Sequence, residues 1–290
     1  MKYCLACDYS FNAEEWTCPQ CGHGPLIRHG FPCFAPELEQ NSSEYDPKHF
    51  PLLAKLEDGS FWFRARNQLI VWALARFFAG AKEIIEVGVG TGFVLRALHE
   101  TFPNARLCGS DIHTEGLRFA AERLGSSVNL MQLNAKAIPF RDHFDVACAF
   151  DVLEHIREDE VVLDQMRRCV RKGGGIVLTV PQHMFLWGPA DEAAFHQRRY
   201  AANELVEKVN AAGFEVLLKT SFVSFLLPAM YLSRLRSRGS GTYNLEDELR
   251  IQPILNTLFQ TISGAEIRLI RAGIRMPAGG SQLLVAVRRQ

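Results

Sequence analysis

The sequence predicts an α/β protein built on a doubly wound, mostly parallel sheet. Two observations predict it: short apolar runs alternate with helical segments at the spacing of βαβ units, and several of these runs end at a glycine, an aspartate or an asparagine. A third observation, two CxxC pairs within the first 21 residues, predicts a small metal-bound ribbon ahead of the sheet.

Composition narrows the classes of function. The chain has 290 residues with 32 Lys plus Arg against 32 Asp plus Glu, so no net charge attracts nucleic acid or an anionic membrane. The N-terminal residues lack the pattern of a signal peptide, and the apolar stretch from Thr220 to Ser233 is too short for a spanning helix. We therefore expect a cytoplasmic protein.

Four N-terminal cysteines have the spacing of a structural metal site. The pairs Cys4/Cys7 and Cys18/Cys21 are separated by ten residues, and each CxxC pair can form a knuckle whose thiolates face one cation. Four thiolates close a tetrahedral shell, which suits structural zinc, although iron is an alternative. A ribbon of residues 1–30 cannot support a core alone, so the metal should supply its folding energy.

Changes in amino-acid composition predict where the rest of the chain divides into a linker and a domain. Residues 31–58 contain four prolines and are predicted as a linker. Residues 59–290 are predicted as one domain that begins with a largely buried helix over residues 61–79. The alternating pattern then places strands at 83–87, 106–110, 127–133, 144–150 and 176–180, with helices at 93–100, 115–124 and 159–170.

The first strand runs into a glycine-rich turn with Gly88, Gly90 and Gly92. In a dinucleotide fingerprint the third glycine comes one residue later, and the turn holds a pyrophosphate. Here Glu86 precedes the turn, and a carboxylate suits a cationic ligand such as the ammonium head of S-adenosylmethionine. Asp111 follows the second strand and can accept hydrogen bonds from both hydroxyls of a ribose, or it can cap a helix.

These motifs resemble the class I, Rossmann-like methyltransferases that use S-adenosylmethionine. The resemblance covers residues 60–290 and includes Asp151-Val152-Leu153-Glu154-His155-Ile156, which is similar to ubiquinone and menaquinone methyltransferases. It implies a seven-stranded sheet completed by strands at 214–220 and 282–288, with the last strand antiparallel. It also leaves a helical insertion, residues 222–280, as a predicted cap over the active site.

The resemblance also implies roles for single residues. The three glycines would contact the methionine portion, Asp111 the ribose, and Ile112, Asn134 and Ala135 the adenine. Asp151 and Leu153 would lie beside the methionine moiety. The predicted cofactor-binding set is therefore Glu86, Gly88, Gly90, Gly92, Asp111, Ile112, Asn134, Ala135, Asp151 and Leu153.

The same stretch carries a metal alternative. In some quinone O-methyltransferases the matching acidic residues and histidine are associated with a divalent cation, and Asp151, Glu154 and His155 occupy those positions here. The other interpretation is that Glu154 and His155 begin a helix and contact neighbouring backbone.

Acceptor chemistry is predicted after the fifth strand, where the pattern from Trp187 to Tyr200 resembles bacterial methyltransferases of cell-surface glycan or lipid pathways. A histidine there can take a proton from an acceptor hydroxyl, and an arginine can bind its carboxylate or phosphate. The alternative is a structural, salt-bridged loop. The candidate catalytic residues are His155, His183, His196, Arg199 and Tyr200.

The predicted function is methyl transfer from S-adenosylmethionine to oxygen of a small-molecule, glycan or lipid-linked acceptor. An RNA or protein methyltransferase that docks its substrate through the ribbon, and an NAD-type oxidoreductase, remain alternatives. The ribbon has only Lys2 and Arg28 as basic residues, which disfavours nucleic acid. Apolar residues 222–235, followed by arginines, predict either a buried cap or a peripheral membrane contact. No feature indicates an oligomeric state.

Overall fold

The computed structural model describes residues 1–41, 46–237, 246 and 250–289. At the N-terminus, strands β1 (Lys2–Tyr3) and β2 (Ser10–Phe11) pair antiparallel in a small sheet. This sheet lies against the larger domain, because the Tyr3 amide donates to the Pro139 carbonyl at 3.0 Å and Trp16 packs edge-on against Phe34 and Phe140.

The described residues also form one large sheet of nine strands, in the order β10-β11-β9-β8-β5-β6-β7-β4-β3. These strands are β3 (Leu26–Arg28), β4 (Phe31–Cys33), β5 (Glu83–Val87), β6 (Arg106–Asp111), β7 (Asn129–Gln132), β8 (Phe144–Phe150), β9 (Val170–Pro181), β10 (Phe214–Phe222) and β11 (Ser281–Arg288).

Most neighbouring strands run parallel, which confirms the predicted α/β fold. The exceptions are β11, which lies antiparallel between β9 and β10, and the β3–β4 hairpin. The predicted count of seven strands is wrong, because this hairpin adds two strands beyond β7. The sequence does not predict these two strands, because each is only three residues long and β4 contains Pro32, a residue disfavoured within strands.

The helices follow the strands as the alternating pattern predicts. They are α1 (Pro36–Asn41), α2 (Phe50–Leu56), α3 (Phe61–Phe77), α4 (Phe93–Thr101), α5 (Thr114–Leu124), α6 (Asp159–Cys169), α7 (Pro189–Ala193), α8 (Glu204–Ala211), α9 (Leu227–Ser237) and α10 (Pro253–Arg271).

Both faces of the sheet are buried. Adjacent strand residues point to opposite faces, so Ile84 joins the core under α3, α4, α5 and α10, and Ile85 joins the core under α6 and α8. A parallel strand that is covered on both faces must be apolar throughout. This explains the apolar residues Ile84 and Ile85 of β5 and the apolar run from Val146 to Phe150 in β8.

The segment between β10 and β11 contains α9 and α10, in the region predicted as a cap. α10 packs along α3, where the Asn256 side-chain oxygen accepts from the Phe61 amide at 2.8 Å and Phe259 packs against Phe61. Residues 238–245 and 247–249 of this segment lie outside the described residues.

The region predicted as a linker, residues 31–58, contains β4, α1 and α2, and its residues 42–45 lie outside the described part of the chain. The boundary predicted after residue 30 falls inside the β3–β4 hairpin. The domain division as a whole stays a prediction.

Gln132 joins the hairpin to the sheet. Its side-chain oxygen accepts from the Ala35 amide at 3.0 Å, and its nitrogen donates to the carbonyls of Ala35 at 2.7 Å and Ile112 at 3.1 Å. Gln132 is fully buried, so these groups have no water to replace a lost partner. One side chain therefore links the N-terminal segment to the loop after β6.

Among the described helices, none combines the length and the apolar character that a membrane crossing requires.

We predict that Gln132→Ala lowers the free energy of unfolding by about 1–3 kcal/mol, because buried backbone groups lose their partners. Denaturant unfolding measures the change. Glu122→Ala, at an exposed position of α5, is the control and should stay within about 0.5 kcal/mol of wild type. Equal stability of the two variants would contradict the linking role of Gln132.

Candidate functional site

A cavity of 340 Å³ opens at the carboxyl ends of β5, β6, β7 and β8. Ligands bind at this edge of an open parallel sheet, because the strand ends and helix N-termini leave backbone groups and loops there. Eight of the predicted cofactor-binding residues line the cavity: Glu86, Gly88, Gly90, Asp111, Ile112, Asn134, Ala135 and Asp151.

The glycine-rich turn forms the floor of the cavity. Gly88 has a φ of 76°, and a Cβ there would meet Val152 Cγ2 at 2.3 Å, so only glycine fits. Gly92 is not in the cavity wall. It precedes α4 with a φ of 77°, and a Cβ would meet Ala120 Cα at 2.9 Å, so its role in the structure is close packing of α4 on α5.

Asp111 ties this turn to the end of β6. Its Oδ2 accepts from the Gly90 amide at 2.9 Å and its Oδ1 from the His113 amide at 2.9 Å. Burial raises the pKa of Asp111, and the hydrogen bonds from backbone amides oppose that rise. Each carboxylate oxygen keeps a further lone pair, so Asp111 can still accept a hydrogen bond from a ligand.

Asn134 lies at the next strand end. Its side-chain oxygen accepts from the Lys136 amide at 2.9 Å, which closes a tight turn after β7. The amide NH₂ group then remains as a hydrogen-bond donor on the cavity wall beside Ala135 and Ile112. This edge of the cavity therefore offers a polar donor among apolar groups, as a purine ring requires.

Carboxylates dominate the charge of the cavity. The acidic residues in its wall are Glu57, Glu86, Asp111 and Asp151, and Arg66 is the only arginine or lysine among the described lining residues. Arg66 Nε lies 2.7 Å from Asp151 Oδ2, and its Nη2 donates to the Phe150 carbonyl at 3.1 Å. Glu57 also has an arginine partner outside the wall, Arg123, so Glu86 and Asp111 are the lining acids that can favour a cationic ligand.

Glu86 is a deeply buried acid of the cavity wall. It is 2% exposed, and its Oε2 has no hydrogen-bond partner within the described structure. Burial raises its pKa to about 8, although the charge of Arg66 opposes the rise. Without a ligand, Glu86 therefore holds a proton near neutral pH, and a cation placed against it would favour the ionised form.

Sequence reasoning missed one wall of the cavity. His49, Phe50, Leu53 and Glu57, from the predicted linker, line it together with Trp62 and Phe63 of α3. Both carboxylate oxygens of Glu57 accept from the Thr91 hydroxyl at 2.8 Å, and Arg123 lies 2.6 Å from Glu57. A glutamate buried this way holds α2 against the glycine-rich turn. The aromatic residues Phe50, Trp62 and Phe63 were the feature of the sequence that could have indicated this wall.

The candidate catalytic residues separate into two groups. His155 and His196 line the cavity, and their ring centroids are 4.7 Å apart. His183 lies outside the wall and stacks on Phe185 at 5.0 Å. Of the predicted catalytic set, the structure therefore brings two histidines to the site.

Arg199 and Tyr200 do not reach the cavity. Arg199 is 7% exposed, and its Nε lies 2.7 Å from Asp191 Oδ1, so it is not available as the acceptor-binding arginine that was predicted. Tyr200 is fully buried and donates to Asp159 Oδ2 at 2.6 Å. Burial and the charge of Asp159 raise the pKa of Tyr200 well above its usual range, which excludes a proton-accepting role for it at neutral pH.

Leu153 also lies away from the cavity wall. It is fully buried in the core under α6 and α8, where it supports the turn after β8 from below. The helical segment predicted as a cap contributes no lining residue among its described positions.

Within the described part of the chain, two groups of side chains have the spacing of metal ligands. The Sγ atoms of Cys4, Cys7, Cys18 and Cys21 lie within 4.8 Å of one another, with Cys4–Cys21 and Cys7–Cys18 both at 3.6 Å. The second group is Glu154, His155 and His196 at the cavity. Asp151, the third predicted ligand beside Glu154 and His155, is instead paired with Arg66.

Comparisons with known proteins match the part of the chain that contains most of this cavity. Residues 85–178 match a family model described as "Methyltransferase domain". A Mycolicibacterium smegmatis protein named "Probable S-adenosylmethionine-dependent methyltransferase" is 27% identical over 164 residues, which are 56% of this chain and 62% of that protein. The chain thus spans less than two thirds of that relative.

Solved structures share the fold. The complex of the Haloferax volcanii Trm112 methyltransferase activator with a methyltransferase aligns with a TM-score of 0.55 at 17% identity, covering 84% of this chain and 97% of that one. The [4+2]-cyclase SpnF aligns with a TM-score of 0.57 at 18% identity, covering 92% and 99%. Because a cyclase shares it, the fold alone does not specify the reaction. The family match therefore identifies a methyltransferase domain within this chain.

We predict that raising the pH destabilises the ligand-free protein through Glu86. A carboxyl group whose pKa is higher in the folded state stabilises that state below its ordinary pKa, and this stabilisation is lost as the pH rises through the folded-state value of about 8. From about pH 5 to pH 9, the free energy of unfolding should fall by a few kcal/mol more in wild type than in Glu86→Gln, since one pKa unit corresponds to about 1.4 kcal/mol.

Denaturant titrations at several pH values measure this difference. Buried carboxyl groups distant from Glu86 contribute equally in both proteins and cancel in the comparison, whereas Asp111 interacts with Glu86 and contributes to the measured difference. Parallel pH profiles for wild type and Glu86→Gln would show that Glu86 is not the titrating group.

Proposed function

We propose that this chain transfers a methyl group from S-adenosylmethionine to an oxygen atom of a small-molecule, glycan or lipid-linked acceptor. The observation that carries the proposal is the acidic lining of the cavity. Asp151 pairs with Arg66 and Glu57 with Arg123, whereas Glu86 and Asp111 have no arginine or lysine partner among the described residues. S-adenosylmethionine brings a sulfonium and an ammonium group, whereas a dinucleotide brings a pyrophosphate that these carboxylates would repel. The same observation disfavours the NAD-type oxidoreductase.

The residues present fit S-adenosylmethionine as a ligand. Glu86, with its unpartnered Oε2, is proposed to receive the ammonium group, and Asp151 to lie beside the methionine portion. Asp111 would accept from the ribose hydroxyls, and the Asn134 amide would face the adenine. Gly88, Gly90, Ile112 and Ala135 are proposed as close contacts, and Gly92 and Leu153 as supports behind them.

When bound, S-adenosylmethionine supplies a methyl group on an activated sulfonium. The chain's part is to hold the two reactants in line, exclude water and receive the acceptor's proton. His155 and His196 are the proposed catalytic residues, because they are the predicted ones that the structure brings to the cavity. His183, Arg199 and Tyr200 are proposed to hold the surrounding loop.

We also propose that Cys4, Cys7, Cys18 and Cys21 bind one structural zinc ion. In a tetrahedral site with Zn–S bonds of about 2.3 Å, the sulfurs lie about 3.8 Å apart. The 3.6 Å distances of two pairs fit that geometry. Four thiolates leave no coordination position for a substrate, so the proposed role of zinc is to fold the ribbon.

Apolar side chains beside the loop after β9 support a lipid-linked acceptor. Met184, Phe185, Tyr231, Leu232 and Leu235 are each exposed by more than 40%, and the rings of Phe185 and Tyr231 are 5.9 Å apart. A contiguous apolar surface of this kind is uncommon without a ligand or a partner. We propose that it receives the acceptor's tail at a peripheral membrane contact.

We predict that Asp111→Ala weakens S-adenosylmethionine binding by at least about tenfold, because a charged acceptor of hydrogen bonds contributes about 1.5–3 kcal/mol. Isothermal titration calorimetry measures the affinity. Glu100→Ala removes an exposed acid of α4 and should bind as wild type does. A folded Asp111→Ala protein with unchanged affinity would refute the ribose assignment.

We predict that Cys18→Ser reduces the zinc content well below one per chain and lowers stability by several kcal/mol, because metal binding is coupled to folding of the ribbon. Elemental analysis and denaturant unfolding measure the two effects. Cys33→Ser replaces a buried cysteine outside the cluster and should keep the metal. A Cys18→Ser protein that retains zinc would remove the proposed site.

A further inference from the structure

The cavity wall includes residues of α3, of the turn after β8 and of the loop after β9. Trp62, Ile156, Ala193 and Ala194 are apolar lining residues from these elements, and His155 and His196 are polar ones. We refer to these six residues as the acceptor end, because His155 and His196 are the candidate catalytic residues of the cavity.

His196 is held by a buried carboxylate. Its Nδ1 lies 2.8 Å from Oδ1 of Asp191, which is fully buried. An ionised carboxylate only accepts hydrogen bonds, so Nδ1 must carry the proton. A neutral His196 then has its lone pair on Nε2, which makes Nε2 the atom that can accept a proton at the cavity wall.

Asp191 is itself fixed from three directions. Arg199 Nε lies 2.7 Å from its Oδ1, the Gly188 amide donates to its Oδ2 at 2.9 Å, and its own carbonyl accepts from the His196 amide at 2.9 Å. Burial raises the pKa of Asp191, but the hydrogen bond from His196 and the charge of Arg199 outweigh that effect and hold the pKa below its usual range. Arg199 thus keeps Asp191 ionised.

The acceptor end offers little to an anion. Among the described residues of the cavity wall, Arg66 is the sole arginine or lysine, and Asp151 already pairs with it. A carboxylate or phosphate entering here would lose its hydration without gaining a free cation. An apolar acceptor with a neutral hydroxyl would instead bury its body against Trp62 and Ile156.

We propose that His196 is the general base of the reaction, that Asp191 is its positioning residue, and that the acceptor is an uncharged, apolar molecule bearing a hydroxyl group. This proposal rests on the proposed function and names the acceptor class for the same site. Arg199, predicted to bind the acceptor, acts through Asp191 instead.

The step balances as a displacement with proton transfer. His196 Nε2 takes the proton of the acceptor hydroxyl as its oxygen forms a bond to the methyl carbon. The bond between that carbon and sulfur breaks, and its electron pair stays on sulfur, which gives S-adenosylhomocysteine and a methyl ether. The imidazolium then releases its proton to water. Such base catalysis contributes about 100- to 10,000-fold.

Two soluble probes separate the acceptor classes. Octylcatechol has neutral hydroxyl groups on an apolar body, and octanoate has a carboxylate that needs no base. With tritium-labelled S-adenosylmethionine, we expect the full-length wild-type protein to methylate octylcatechol and not octanoate. Transfer to octanoate alone, or to neither probe by protein that binds S-adenosylmethionine, overturns the hydroxyl assignment. Failure to bind S-adenosylmethionine instead refutes the proposed function.

Two variants test the histidine and its partner. His196→Ala and Asp191→Asn should each lower kcat for octylcatechol by about a hundredfold or more. The first variant removes the base. In the second, the asparagine amide donates to Nδ1 and places the ring proton on Nε2, so that Nε2 can no longer accept a proton. The affinity for S-adenosylmethionine should change by less than about twofold. His99→Ala, on α4 and outside the cavity wall, is the control and should leave kcat unchanged.

Two measurements distinguish a general base from a structural residue: the recovery of kcat on adding imidazole, and the pH dependence of kcat. Added imidazole should restore part of the kcat of His196→Ala, and wild-type kcat should rise with pH through a titration that His196→Ala lacks. The charged or titratable groups that face His196 are Asp191 and Arg199 from its own loop, and His155 and Glu154 from the turn after β8. Absence of rescue together with an unchanged pH profile overturns the role of His196.

Discussion

The hydrogen bonds that Asp111 accepts from the backbone hold the candidate site together. One carboxylate receives the amide of Gly90, from the turn after β5, and the amide of His113, from the loop after β6. The ends of β5 and β6 are therefore held at a fixed separation, and the other walls of the cavity pack against these two ends. Glu57 anchors α2 to Thr91 of the same turn, and Gln132 anchors the N-terminal hairpin to the loop that Asp111 closes.

This arrangement concentrates acidic side chains in a water-poor space. Arg66 pairs with Asp151, and burial raises the pKa of Glu86 and of Asp111. A site of this kind is unfavourable when empty and becomes favourable when a cation enters. A cation entering this cavity would allow Glu86 to ionise, whereas a phosphate would gain no such partner, and this preference would not depend on any single hydrogen bond.

The sequence was sufficient where local pattern decides structure. Continuous apolar runs such as β8 and the turn at Gly88 predicted the central sheet and the edge where the cavity lies. The missed features depend on distant contacts. Phe50 joins the cavity wall through a segment whose prolines indicated a linker, and the hairpin strand containing Pro32 is defined by one pairing with Gln132, a hundred residues away. The loop after β9 shows the same limit. Spacing predicted chemistry at Arg199, but only the fold reveals that its guanidinium is occupied by Asp191.

The hairpin has a consequence for behaviour in a concentrated solution. Without it, β7 would end the sheet and present a row of unpaired amides and carbonyls to other chains, which is a template for cross-chain strand addition. The hairpin covers that border and leaves β3, only three residues long, as the outermost strand. So short a border offers few sites for pairing, and strand addition is thereby disfavoured at this edge of the sheet.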